Sequence, residues 1–170
     1  GEHFDQIGGS AQFDVYATAP YIGPSSVDGF GGKADSWNLD QLFDHLFNVA
    51  LPSAVSDMNN IAQVVASYQP AISFVAYEGG QHLAGGQASD HARTLYVQAQ
   101  TDARMSDLYQ RYLRAWRDSG GRQLALYTAL GPINGETGSW GLKPSLDTPD
   151  AQAPKFDGVK RWDASNPRWW

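Results

Sequence analysis

The sequence predicts an α/β fold in which about three parallel strands alternate with helices and the sheet is left incomplete. Three observations carry that reading. Apolar, β-leaning runs lie near residues 13, 72 and 123, and helix-period patterns fill the intervals between them. The intervals are long, so units of this size would need well over twice this chain to make eight strands. Strands separated by helices pair in parallel through right-handed crossovers, and a parallel sheet needs both faces covered or its edges closed. The chain therefore reads as a piece of a larger barrel or as a subunit completed by another chain.

The elements follow in order. Gln12-Phe13-Asp14-Val15-Tyr16-Ala17-Thr18-Ala19-Pro20-Tyr21 alternates apolar and polar positions until Pro20 halts it, which places Tyr21 at the C-terminal end of a first strand. Residues 22–37 are rich in Gly, Ser and Pro and form a loop long enough to carry function. Asn38, or Ser36 before it, caps a helix with Leu39, Leu42, Phe43, Leu46, Phe47 and Ala50 on one face. Pro52-Ser53 is expected to interrupt or kink it before a second helix that carries Val55, Met58, Ile61, Ala62, Val65 and Tyr68.

The stretch Ala71-Ile72-Ser73-Phe74-Val75-Ala76-Tyr77-Glu78-Gly79-Gly80 runs uncharged into Glu78 and then into a Gly-Gly pair, the pattern of a buried strand ending in a sharp turn. A Gly-rich loop to Ser89 leads into one long amphipathic helix from about Asp90 to Ser119, stopped by Gly120-Gly121. Residues 123–128 read as a third strand, 131–154 as loop and 156–162 as a short last helix, with Trp169-Trp170 closing the chain.

Composition excludes several functions. A net charge of −6 with twelve scattered Lys and Arg forms no basic face, so nucleic acid is not an expected partner. No apolar run is long enough to span a bilayer, and the first residues lack the basic and apolar regions of a signal peptide. The absence of cysteine excludes disulfides and thiolate metal sites while leaving both the cytoplasm and an export route open, secretion or the periplasm included. The Gly-rich segments contain no dinucleotide or phosphate-loop motif. His82 and His91 match no familiar metal-ligand spacing, so no metal or other cofactor is implied. The six Trp, eight Tyr and seven Phe supply core, and in loops they supply flat faces suited to sugar rings.

A carboxylate at the C-terminal end of a buried parallel strand lies on the face where α/β folds carry their active sites. Taken alone, Glu78 is as compatible with a cap or a salt-bridge partner at an ordinary corner. Its company tips the balance. Phe13 to Tyr21, then Ala76-Tyr77-Glu78-Gly79-Gly80-Gln81-His82, then Leu126-Tyr127 with Gly138-Ser139-Trp140-Gly141-Leu142 resemble the last three βα units of retaining (β/α)8 glycoside hydrolases of the bacterial cellulase-like kind. The likeness covers nearly the whole chain, as a single C-terminal portion of such a TIM barrel.

That resemblance implies Glu78 as the nucleophile, Tyr21 as the residue that hydrogen-bonds it and Trp140 as the aromatic floor under the sugar. By position beside Glu78, Tyr77, Gln81 and His82 are candidate substrate contacts, with a loop His bonded to backbone an equal reading of His82, and Trp37 is a candidate from the first long loop, where a packed loop is the other reading. The expected partners are an oligo- or polysaccharide and either the missing N-terminal barrel portion or another copy of the chain. One departure matters: the family's Asn-Glu pair, which holds the acid/base, does not occur here, and Glu2 and Glu136 are poor replacements. The acid/base is then expected upstream, and a non-catalytic carbohydrate-binding barrel or a self-assembling barrel fragment remain alternatives.

Among the other polar residues, Asp90 and His91 read as caps, Asp44 and His45 as a solvated helix flank, and Tyr109, Tyr112 and Trp116 as core. Asp28, Phe30 and Asp35 share the first long loop with Trp37. Trp162, Trp169 and Trp170 read as packing for the last helix or as an exposed sugar-binding patch.

Overall fold

The computed structural model describes residues 9–24 and 30–166. Glu2, Asp28, Trp169 and Trp170 lie outside the described residues. The chain is a mixed α/β protein built on two short parallel strand pairs, and no closed barrel is formed among the described residues.

The first pair joins β1 (Val15–Thr18) to β3 (Ser73–Ala76), and the second joins β2 (Tyr21–Ile22) to β4 (Gly80–Gln81). The first predicted strand thus continues past Pro20. Proline has no N–H to give the ladder, so the pairing lapses at Ala19-Pro20 and resumes at Tyr21. Only three residue steps separate Thr18 from Tyr21, but four separate Ala76, the partner of Thr18, from Gly80, the partner of Tyr21. The β3 side therefore carries one extra residue, a bulge made of Tyr77, Glu78 and Gly79. A bulge bends its strand and re-aims a side chain. Here the re-aimed side chain is the carboxylate.

The bulge has a floor. α4 (Arg104–Asp118) buries Tyr109 and Tyr112 beneath it. A Cβ added to Gly79 would lie 2.3 Å from the Tyr112 hydroxyl, so only glycine fits there. The Tyr109 hydroxyl accepts the Gln81 backbone N–H at 3.3 Å. The Gly-Gly signal and the two core tyrosines, far apart in sequence, are one contact.

The third predicted strand is a single ladder position, Leu124 beside Ala76, flanked by backbone bonds from Arg122 N–H to Phe74 O, Ala76 N–H to Gln123 O and Tyr127 N–H to Gly79 O. It runs parallel to β3 on the side opposite β1. One face of this small sheet, with Tyr16, Phe74, Ala76, Leu124 and Leu126, packs into the core, where Phe74 meets Trp116. The alternate residues face outward: Val15 is 48% exposed, Tyr77 62% and Tyr127 48%, and among the described residues β1 pairs on one side only. A parallel sheet open on one face and along one edge is unusual.

The helices frame the covered face. α1 (Leu39–His45) opens on a capping box in which Asn38 Oδ1 accepts the Gln41 N–H and Gln41 Oε1 accepts the Asn38 N–H, both at 2.9 Å. Pro52 does not break the path into α2 (Leu51–Ala66). A π-helical turn over Leu46–Ala50 widens the backbone just before the proline, and the Leu51 N–H reaches back to Leu46 O. The expected single helix from 90 to 119 is two, α3 (Asp90–Ala99) and α4. The break falls at Asp102, whose Oδ1 accepts the Arg104 N–H at 2.9 Å while both carboxylate oxygens hold the Arg104 guanidinium. An aspartate that accepts the N–H two residues on is a stronger local signal than apolar periodicity.

The last helix, α5 (Pro154–Ser165), packs along α4 with Gly158 against the Ser106 backbone and Ser106 Oγ bonded to Asp157. Trp162 is buried beneath Arg117, in keeping with a packing role. No helix among the described residues is long and apolar enough to cross a membrane.

The steric floor makes a prediction. Gly79→Ala lowers unfolding free energy by about 1–3 kcal/mol through overpacking against Tyr112. Adding Tyr112→Phe, which removes the clashing oxygen, recovers a large part of that loss in denaturant titrations.

Candidate functional site at the end of β3

The bulge presents Glu78, half-buried, to the phenol of Tyr21 across the interrupted ladder. The Tyr21 hydroxyl is pushed up to about 12. Partial burial contributes most, followed by the Glu78 charge and the hydrogen bond to its carboxylate, and then the neighbouring Tyr127 and Tyr77 phenols. Each cause favours the protonated phenol, so Tyr21 keeps its proton across the physiological range and faces the Glu78 carboxylate as a donor.

Aromatic rings surround this pair. Trp140 packs edge-on against Tyr21 at 5.8 Å, His82 at 5.0 Å and Tyr127 at 6.0 Å, and His82 packs on Tyr21 at 5.5 Å. His82 Nδ1 is buried with no hydrogen-bond partner among the described residues. Tyr77 stands exposed beside the carboxylate.

Trp140 is held by its own loop. Its indole N–H donates to Thr137 O at 2.9 Å, its carbonyl accepts the Thr128 N–H at 3.0 Å, and Gly138, at φ +97°, leaves the indole face the space a Cβ would fill. Asn134 closes the loop: its side chain accepts the Glu136 and Thr137 N–H groups, and its backbone exchanges hydrogen bonds with Ser139 Oγ. Glu136, an exposed member of this turn, is therefore tied to the Trp140 loop.

Of the residues predicted from sequence, Glu78, Tyr21, Tyr77, His82 and Trp140 converge. Gln81 lies beside them but is 1% exposed. Its amide donates to Ser139 O at 2.8 Å and accepts the Leu83 N–H at 2.8 Å, so it braces β4 against the Trp140 loop. Trp37 belongs to a different cluster, with Phe30 at 5.5 Å and His45 at 4.7 Å, and its carbonyl is bonded to the His91 ring. His45 is not on a solvated flank. It is half-buried between those rings, and burial, followed by the Lys33 charge, lowers its pKa. His91 is likewise a bracing residue, while the α3 cap is Ser89. Among the described residues no group of His, Asp and Glu is arranged to hold a metal.

A cleft of about 730 Å³ joins the two clusters. It runs from Tyr21 and His82 past Phe30 and His45 along α1 and α2, where Asp57 and Asn60 line it.

Sequence reasoning missed Tyr127, Ser139 and Lys155. Lys155 is 3% exposed, and its Nζ donates to Ser139 O at 2.6 Å. Burial lowers it from an ordinary 10.5 to about 7. The one available signal was a lysine set in the apolar start of a helix, Ala153-Pro154-Lys155-Phe156. Comparisons of the chain with protein families, with curated proteins and with solved structures give no match.

The depressed lysine fixes the sign of a pH dependence. Below about pH 7 the folded and unfolded chains both hold the proton. Between there and 10.5 the unfolded chain alone keeps it, so stability rises with pH over that window, by up to about 1.4 kcal/mol per unit. Unfolding titrations at successive pH values measure the slope, and Lys155→Met removes this group's share of it.

Proposed function

We propose that the chain is the nucleophile-bearing portion of a retaining (β/α)8 glycoside hydrolase, acting on a β-linked glycan once the barrel is assembled. The observation that carries this reading is the Tyr21 phenol set beside Glu78 at a strand-end bulge, near enough that the carboxylate raises the phenol's pKa, with the Trp140 ring packed beside it. Glu78 attacks the anomeric carbon, and Tyr21 holds it ionised and oriented by donating to it. An indole face suits the C–H side of a pyranose and the positive charge of an oxocarbenium-like transition state. His82 and Tyr77 border the same space and contact sugar hydroxyls.

Retention needs a second, protonated carboxyl about 5 Å from the nucleophile. Among the described residues Glu78 is the only carboxylate that acts on Tyr21, and the chain has no Asn-Glu pair. The acid/base therefore comes from the portion that completes the sheet, either upstream sequence or another polypeptide. The unpaired side of β1 and the open face with Val15, Tyr77 and Tyr127 support such a completion.

In the assembled barrel, Glu78→Gln lowers turnover of β-linked gluco-oligosaccharides by at least about a thousandfold, with little change in binding. Mass spectrometry of the parent after treatment with a 2-deoxy-2-fluoroglycoside finds the label on the Glu78 peptide. Unchanged hydrolysis in the variant overturns the assignment. The second reading, a barrel that binds glycans without turnover, is favoured by the same missing pair. It predicts oligosaccharide binding that depends on Trp140 and no labelling of Glu78.

A further inference from the structure

Lys155 occupies a position that electrostatics alone disfavours. It is buried, forms no ion pair among the described residues, and lies at the second position of α5, where the positive end of the helix dipole repels a cation. Among the described residues its Nζ makes one hydrogen bond, to Ser139 O at 2.6 Å. That carbonyl is also the acceptor of Gln81 Nε2 at 2.8 Å. Ser139 is itself 2% exposed and directly precedes Trp140. One carbonyl thus receives two buried donors, one from the strand three residues past Glu78 and one from the last helix. The chain leaving it carries the indole that packs on Tyr21 and His82.

We propose that Lys155 is a positioning residue: with Gln81 it clamps the Ser139 carbonyl and so fixes the Trp140 ring against Tyr21 and His82 at the mouth of the Glu78 site. The role rests on the glycan reading only for its purpose; the clamp itself is a statement about the loop. Gln81 alone leaves the carbonyl tied to β4 but free to pivot about that bond. Lys155 supplies the second attachment, from an element with its own packing on α4 through Gly158 and Asp157. The Nζ donates to the carbonyl in either protonation state, and the bond is the stronger where the group is charged.

The test reads Trp140 directly. The chain is labelled with 5-fluorotryptophan, and its fluorine spectrum is assigned by single Trp→Phe substitutions, the Trp140 line by Trp140→Phe. In Lys155→Met the Trp140 line shifts and broadens while the line of Trp116, buried and packed on Phe74, keeps its place. Lys155→Gln, a neutral side chain too short to reach Ser139, gives the same displacement and serves if the methionine variant does not fold. An unchanged Trp140 line in a folded variant overturns the proposal. Oligosaccharide titration of the same samples separates this result from the functional reading. Weaker binding that tracks the displaced Trp140 line supports both. A displaced line where the assembled parent barrel binds no glycan leaves the clamp standing and removes the glycan reading alone.

Discussion

One surplus residue on the β3 side of a parallel ladder governs the arrangement of this protein. A parallel pair keeps its register as long as each strand advances in step, and here it does not: Ala76 to Gly80 spans one residue more than Thr18 to Tyr21. The excess is taken up at Tyr77-Glu78-Gly79, and it survives because both sides of it are fixed. Opposite, Pro20 has already removed an N–H from the ladder, so little pairing is lost. Beneath, the Tyr112 hydroxyl fills the space a side chain at position 79 would need. The orientation of Glu78 toward Tyr21 thus depends on how α4 packs.

The same logic extends outward through backbone acceptors. Gly79 O receives the Tyr127 N–H, Trp140 O receives the Thr128 N–H, and Ser139 O receives Gln81 and Lys155. Each link joins segments distant in sequence by groups that cannot be left unpaired once buried. The aromatic rings around Glu78 are therefore held by their main chains, with ring-to-ring packing as the finer adjustment.

The sequence makes the local parts of this legible. The capping box at Asn38-Gln41, the Gly-Gly after Glu78 and the core tyrosines of α4 can be read from residue type and spacing, whereas the grouping of Glu78 with Tyr21 and Trp140 rests on the family resemblance. The bulge cannot be read so, because register is a relation between strands more than fifty residues apart and leaves no mark in either one. The break at Asp102 is lost when apolar period is weighted over a capping aspartate. The path through Pro52 depends on a π turn whose residues, Leu46 to Ala50, look like any helix. Trp37 was grouped with the site because loop composition says nothing of direction, and the loop carries it to Phe30 and His45 instead. A single lysine near a helix start is ordinarily solvated, so little in the local sequence marks Lys155 as buried.

The open sheet face connects fold and site energetically. Val15, Tyr77 and Tyr127 are the outward residues of the three parallel segments, and two of them, Tyr77 and Tyr127, already act on the Tyr21 phenol. Whatever covers that face removes water from the surroundings of Glu78 and Tyr21 in the same step. Burial already makes the largest contribution to the raised Tyr21 value, so covering the face drives the phenol further toward its protonated form and strengthens its bond to the carboxylate in a lower dielectric. In the proposed barrel, assembly and preparation of the nucleophile are then one event. The partner that brings the second carboxyl also dries the first, and the uncovered chain holds its carboxylate positioned and wet.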